Sequence, residues 1–191
     1  MSLLRRRITN DSFKDDNQDW DIVWDYTIGL PEDNGFAKTI QGTNVLDELT
    51  DNGLWITING NTDYIRYEPI GYETCNEGIC EIKLIISAVP SVNGIRLILS
   101  NGNNGNKIFI NSNQIKYNQG NIQIKISDII FDIELTIKIE RINNQNYIYI
   151  NNEVIYQSEL TSNLYATGNR LFFQGGFLKT ILKYIKFKKI S

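Results

Sequence analysis

Between Ile95 and Tyr156 the chain alternates isoleucine or leucine with polar residues, and turns rich in asparagine and glycine separate the runs. The clearest stretch places Ile133, Leu135, Ile137 and Ile139 on one side, and Asp132, Glu134, Thr136, Lys138 and Glu140 on the other. Successive side chains of a strand point to opposite faces, so this spacing predicts a half-buried antiparallel sheet. Related runs predict strands at 54–58, 62–67, 81–87, 95–100, 107–111, 114–117, 122–126, 133–141, 146–150, 153–156, 170–174 and 178–190. Ser100-Asn101-Gly102, Asn103-Asn104-Gly105, Asn143-Asn144 and Asn151-Asn152 carry hairpin chemistry, because asparagine and glycine tolerate the positive φ of tight turns. About a dozen strands without a long helix predict an all-β fold, an antiparallel sandwich or barrel.

Ahead of these runs, Trp20, Ile22, Trp24, Tyr26 and Ile28 alternate with polar or small residues and predict a first strand with an aromatic face. About 25 residues of loop composition follow from Gly29, with one helical turn expected at Val45 to Leu49. Residues 1–18 read as a separate arm, with Arg5, Arg6 and Arg7 followed by Asp11, Asp15 and Asp16 and almost no apolar pattern to order it. The expected division is an arm at 1–18, either a frayed terminus or a docking arm acting through Leu3, Leu4, Arg5, Arg6 and Arg7, and one sandwich at 19–191.

Composition narrows the functional classes. A chain of 191 residues suits one all-β domain, and 41% hydrophobic and 21% charged residues are ordinary for a folded one. A net charge of −3 gives no general attraction to nucleic acid or to an anionic membrane. No apolar run approaches the roughly 20 residues that span a bilayer, and no apolar stretch follows the N-terminal arginines as in a secretory signal. The 32 isoleucines and 24 asparagines fit an AT-rich genome's codon usage. Histidine is absent, which removes the commonest general base and metal ligand. Cys75 and Cys80 alone cannot complete a structural zinc site, and they are expected as thiols at a loop in a reducing compartment.

The stretches NGIRLILSNGNNGNKIFINSNQIKY, ELTIKIERINNQNYIYINNEVIY and RLFFQGGFLKTILKYIKF together resemble the back half of the concanavalin A-like (laminin G-like) jelly rolls. The resemblance implies an antiparallel β-sandwich whose Gly-Gly turn precedes a final strand returning beside the first. The fold hosts lectins, hydrolases and structural modules alike, so function needs a site. The opening MSLLRRR and the Ile/Asn/Lys-rich composition look like proteins of tailed phages of gut anaerobes.

Glucanases of this fold carry Glu-x-Asp-x-Glu on one strand. Here only Asp132-Ile133-Glu134 comes near, with Ile130 in the first glutamate's place, and no retaining pair 5 to 5.5 Å apart is in prospect. Serine and cysteine nucleophiles lack a histidine base. A calcium site of the laminin G-like type would fall at Asp51, Asn52 or Asp63, although no EF-hand spacing occurs. The cluster Lys179, Lys183, Lys186, Lys188 and Lys189 reads as protection of an edge strand, or as complementary to an acidic partner surface, rather than as a nucleic-acid site.

The leading expectation is therefore a non-enzymatic virion structural protein of a phage, without cofactor, made in the host cytoplasm. It would attach to other virion proteins or to its own copies on a head or head fibre. The alternative is a lectin-like adhesion module that binds glycan. Trp55, Tyr64, Tyr67, Tyr147 and Tyr149 are the aromatic candidates for either the glycan or the protein interface.

Overall fold

The computed structural model describes residues 19–100, 105–119, 122–159 and 168–190. The docking arm expected at 1–18, with Leu3, Leu4, Arg5, Arg6 and Arg7, lies outside the described residues.

Fifteen strands occur among the described residues. They are β1 (Ile22–Asp25), β2 (Phe36–Gln41), β3 (Val45–Thr50), β4 (Gly53–Ile58), β5 (Tyr64–Pro69), β6 (Glu77–Ala88), β7 (Gly94–Ser100), β8 (Gly105–Asn111), β9 (Gln114–Gln119), β10 (Ile122–Asp128), β11 (Glu134–Ile142), β12 (Gln145–Ile150), β13 (Glu153–Glu159), β14 (Arg170–Gln174) and β15 (Leu178–Ile190). They form two antiparallel sheets. One runs β13-β12-β11-β6-β15-β4-β3, with β1 pairing the far half of β15 beside β4; the other runs β10-β9-β8-β7-β14-β5-β2. This is the expected antiparallel β-sandwich of jelly-roll type, and the final strand does return beside the first.

Alternation decides what each sheet buries. On β6, Ile82 and Leu84 are fully buried; on β4 so are Leu54, Ile56 and Ile58. From the other sheet Ile95, Leu97, Ile108, Ile65 and Phe173 close onto them, each 0 to 1% exposed. A fully buried side chain of this size contributes about 1.5–3 kcal/mol, so this interlayer is the main source of stability. Three hairpins turn on adjacent residues with positive φ: Ser112-Asn113 (49° and 61°), Asn143-Asn144 (52° and 58°) and Asn151-Asn152 (51° and 69°). That mirror-image turn matches the strand twist, and asparagine tolerates it best after glycine.

Three expectations need correction. Val45 to Leu49 is strand β3 and not a helical turn, and β2 also lies in the stretch read as loop. Both strands place a charge on the inner face, which disguises the alternation. Lys38 of β2 and Asp47 of β3 meet across the open edge of the sandwich at 3.0 Å; Glu32 also pairs with Lys38, and the Tyr67 hydroxyl donates to Asp47 at 3.4 Å. Burial alone would lower Lys38, but its two carboxylate partners outweigh that and hold the ammonium above its ordinary range. Secondly, the strand expected from Trp20 to Ile28 is short. After Asp25 the chain turns into a 3-10 segment at Tyr26–Ile28, because Asp25 accepts the Thr27 N–H at 2.7 Å and the Thr27 hydroxyl at 2.5 Å. Lastly, the lysine-rich β15 is no edge strand: it lies between β6 on one side and β4 and β1 on the other.

Candidate functional site

The five aromatic candidates separate onto three surfaces. Tyr67 lies inside the sandwich at 0% exposure, with its ring edge-on to Phe173 and its hydroxyl on Asp47, so it offers no surface to a ligand. Trp55, 44% exposed, stands on the outer face of the first sheet, where it pairs with Glu48 and Ile181. Tyr147 and Tyr149 share that face, opposite Glu140 and Lys138. Tyr64 alone stands on the outer face of the second sheet, its ring 4.9 Å from Phe172.

The outer face of the first sheet is closed by its own charges. Glu81 and Lys186, 6% and 4% exposed, lie 3.4 Å apart, and the Tyr184 hydroxyl donates to Glu81 at 2.6 Å. Lys138 pairs with Glu140 at 2.9 Å and sits 4.0 Å above the Tyr149 ring, whose hydroxyl donates to Glu140 at 2.5 Å. Lys83 pairs with Glu134 at 3.6 Å. Lys83, Lys138 and Lys186 thus each meet a glutamate within the sheet, whereas Lys183 donates to the Asn52 carbonyl and lies 5.0 Å over the Tyr26 ring.

The outer face of the second sheet is different. Register lines up one residue from each strand into a continuous row: Lys125, Lys116, Phe109, Arg96, Phe172, Arg66 and Thr39, from β10 to β2. Neighbouring strands lie about 4.8 Å apart, so Lys116 to Arg66 covers roughly 19 Å. The Arg96 guanidinium is held between two rings, 5.0 Å from Phe109 and 5.1 Å from Phe172, and Lys107 sits 5.3 Å over Phe109. Such cation–π contacts help fix the plane of the guanidinium. A parallel row on one side carries amides and a phenol: Gln114, Asn111, Gln174, Tyr64 and Gln41. On the other side lie Asn118, Lys107, Ile98, Arg170 and Glu68.

Charge on this face is one-sided. Lys107, Lys116, Lys125, Arg66, Arg96 and Arg170 share it with two carboxylates, Glu68 and Asp128, in a protein of net charge −3. Glu68 is 3.0 Å from Arg66 and 4.0 Å from Arg170, and Asp128 pairs with Lys125 at 2.7 Å. Arg96 donates to Asn93 at 2.8 Å, its Nε is shielded without a partner, and no described carboxylate pairs with it or with Lys107. Burial, then the nearby Arg170, pulls Arg96 below its ordinary value. Lys107 is lowered by burial and then by Arg96 and Arg170. Arg170 is also lowered, chiefly by burial. Like charges side by side in a sheet cost stability, so the row invites an external anion.

The other candidate groups are used structurally. Asp132, at φ 59°, accepts a hydrogen bond from Ser87 at 2.6 Å, and Glu134 is half exposed against Lys83. The Asp63 carboxylate accepts the Asn44 N–H at 3.0 Å and braces the turn before β3. A Cβ on Gly42 (φ 97°) would sit 2.1 Å from its Cγ, so only glycine fits there. Asp51 and Asn52 form the exposed turn between β3 and β4. Among the described residues no three His, Cys, Asp or Glu side chains are grouped to hold a metal. Both cysteines are unpaired thiols, buried, and only Cys75 is in a loop; Cys80 lies within β6. Burial pushes both thiols up.

Sequence reasoning missed Arg96, Phe109 and Phe172. Each sits at the outward parity of a run whose inward residues dominate, as in Ile95-Arg96-Leu97 and Leu171-Phe172-Phe173. Opposite-parity arginine and aromatic residues in three separate strands were the available signal, but only the register brings them together.

No protein-family model and no curated protein sequence matches the chain. Its fold is similar to several solved structures. The apo Crh5 transglycosylase superposes with a TM-score of 0.66 at 11% identity, over 88% of this chain and 84% of that one. The carbohydrate-binding module CBM66 from Bacillus subtilis gives 0.54 at 11% identity, over 81% of this chain and 96% of the module. A sialidase gives 0.61 at 10% identity over 81% of this chain, which spans only 17% of the sialidase's length. At these identities the likeness defines a class, the jelly-roll β-sandwich, and nothing finer.

Proposed function

We propose that this domain is a non-catalytic carbohydrate-binding module whose glycan lies along the outer face of the second sheet. The observation that carries this reading is the cross-strand row in which Phe109 and Phe172 flank Arg96, beside a row of amides. Aromatic faces stack on the apolar side of a sugar ring, while amides and guanidinium groups bond its hydroxyls, so a binding site needs this mixture. The likeness to a carbohydrate-binding module along nearly its whole length supports the same reading. The virion-attachment expectation has no comparable support. Its arm lies outside the described residues, and the strands that are apolar or aromatic on both faces bury one face in the core while the aromatics of the other meet lysine and glutamate partners.

A printed glycan array, probed with the wild type and two variants, tests the proposal. Phe172→Ala is expected to weaken retention about 10- to 30-fold, as truncation of a central aromatic contact does. Trp55→Ala, on the opposite face, is expected to leave it unchanged. Loss on Trp55→Ala with Phe172→Ala neutral, or no glycan retained at all, would contradict the reading.

A further inference from the structure

The geometry points to an acidic glycan, one whose sugars carry carboxylates, as the class of ligand for the face built around Arg96; this inference rests on the carbohydrate-binding reading above. Neutral sugars need stacking surfaces and hydroxyl partners, which Phe109, Phe172, Tyr64 and the amide row already provide. They do not need Arg96, Lys107, Arg170 and Lys116 together in two adjoining rows across four adjoining strands.

Two features say that these cations face outward chemistry and not one another. First, on the matching face of the other sheet Lys83, Lys138 and Lys186 each pair with a glutamate at 2.9 to 3.6 Å, so this fold can balance such cations internally when no ligand is involved. Here Glu68 serves Arg66 and Arg170 only. Second, Arg96 is oriented by rings rather than by a carboxylate, which leaves its planar fork of donors without an anionic partner. A guanidinium takes a carboxylate through two parallel hydrogen bonds, and a carboxylated sugar presents that group beside a stackable ring. Arg96 with its two rings therefore suits one acidic sugar, and Lys107 and Lys116, on the next two strands, suit its neighbours. A nucleic acid fits less well. The protein is acidic overall, and the cationic row is bordered on one side by neutral amides.

The test is calorimetric titration with oligogalacturonates and with the same oligomers as methyl esters, which keep the sugar backbone and lose the charge. Trisaccharide sialyllactose against lactose repeats the comparison with a different carboxylated sugar. The acid form of at least one pair is expected to bind about ten-fold tighter than its neutral partner at low salt, as one charge-assisted contact provides. The gap should shrink as salt rises, because exposed charges are screened. Arg96→Gln should close it, and Lys107→Gln should narrow it should the first variant fold poorly. Equal affinity for acid and neutral partners would overturn the inference while leaving the carbohydrate-binding reading intact. Binding to neither, with no hit on the glycan array, would remove both. Tighter binding of mixed-sequence single-stranded DNA than of any acidic sugar would also overturn it.

Discussion

Glu81→Ala is expected to destabilise the protein by about 3–5 kcal/mol, because it removes the carboxylate that faces the buried Lys186 ammonium. Both groups are nearly inaccessible, 8% and 6% exposed at the side chain, and the hydrogen bond from the Tyr184 hydroxyl to Glu81 is lost as well. The pair joins β6 to β15, which run beside each other from Glu77 to Ala88 at the centre of the sheet, so no edge can fray to relieve the charge. For a domain of this size each kcal/mol moves the melting temperature by roughly 2–4 °C, which puts the drop near 10 °C. The double replacement Glu81→Met with Lys186→Met separates two explanations. If the pair is a buried charge problem already solved, removing both partners costs little or even stabilises. Thermal unfolding followed by circular dichroism measures both. A single variant within 1 kcal/mol of the wild type would mean that this face is more open to water than its contacts indicate.

Asn169→Ala is expected to cost about 3 kcal/mol, since a buried and a part-buried backbone hydrogen bond are lost at once. Asn169 is 2% exposed; its Oδ1 accepts the Ser100 N–H at 2.6 Å and its Nδ2 donates to the Tyr72 carbonyl at 2.8 Å. Its own N–H reaches the Glu73 carbonyl at 2.7 Å. One side chain thus ties the end of β7 to the segment after β5 at the point where β14 begins. Asn169→Asp keeps the acceptor and loses the donor, so it should fall between the two in urea denaturation. Arg170 follows directly, and loosening this junction should also weaken ligand binding without any contact having been removed. A variant as stable as the wild type would show that water replaces both bonds.

The strands from Leu54 onward were legible because their inward residues are uniformly apolar and their turns carry asparagine or glycine. The alternation failed at β2 and β3, where Lys38 and Asp47 point inward and satisfy each other at the sandwich edge. It also ran past its true start at Ile133, which is 56% exposed and follows the positive-φ turn at Asp132. Parity alone required Tyr64 and Tyr67 to face opposite ways. Which of them enters the core depends on Phe173 and Asp47, and these come from distant strands. The candidate site was less legible for the same reason. Arg96, Phe109 and Phe172 are ordinary outward residues in three runs, and they become a row only once β14 inserts between β5 and β7.

Titrating an array-positive glycan into isotope-labelled protein, with backbone amide shifts followed by NMR, tests the central claim most directly. The shifts are expected to cluster on β8, β7 and β14 around Phe109, Arg96 and Phe172. Shifts clustered on β4 and β3 around Trp55 and Leu46, with the second sheet silent, would contradict it.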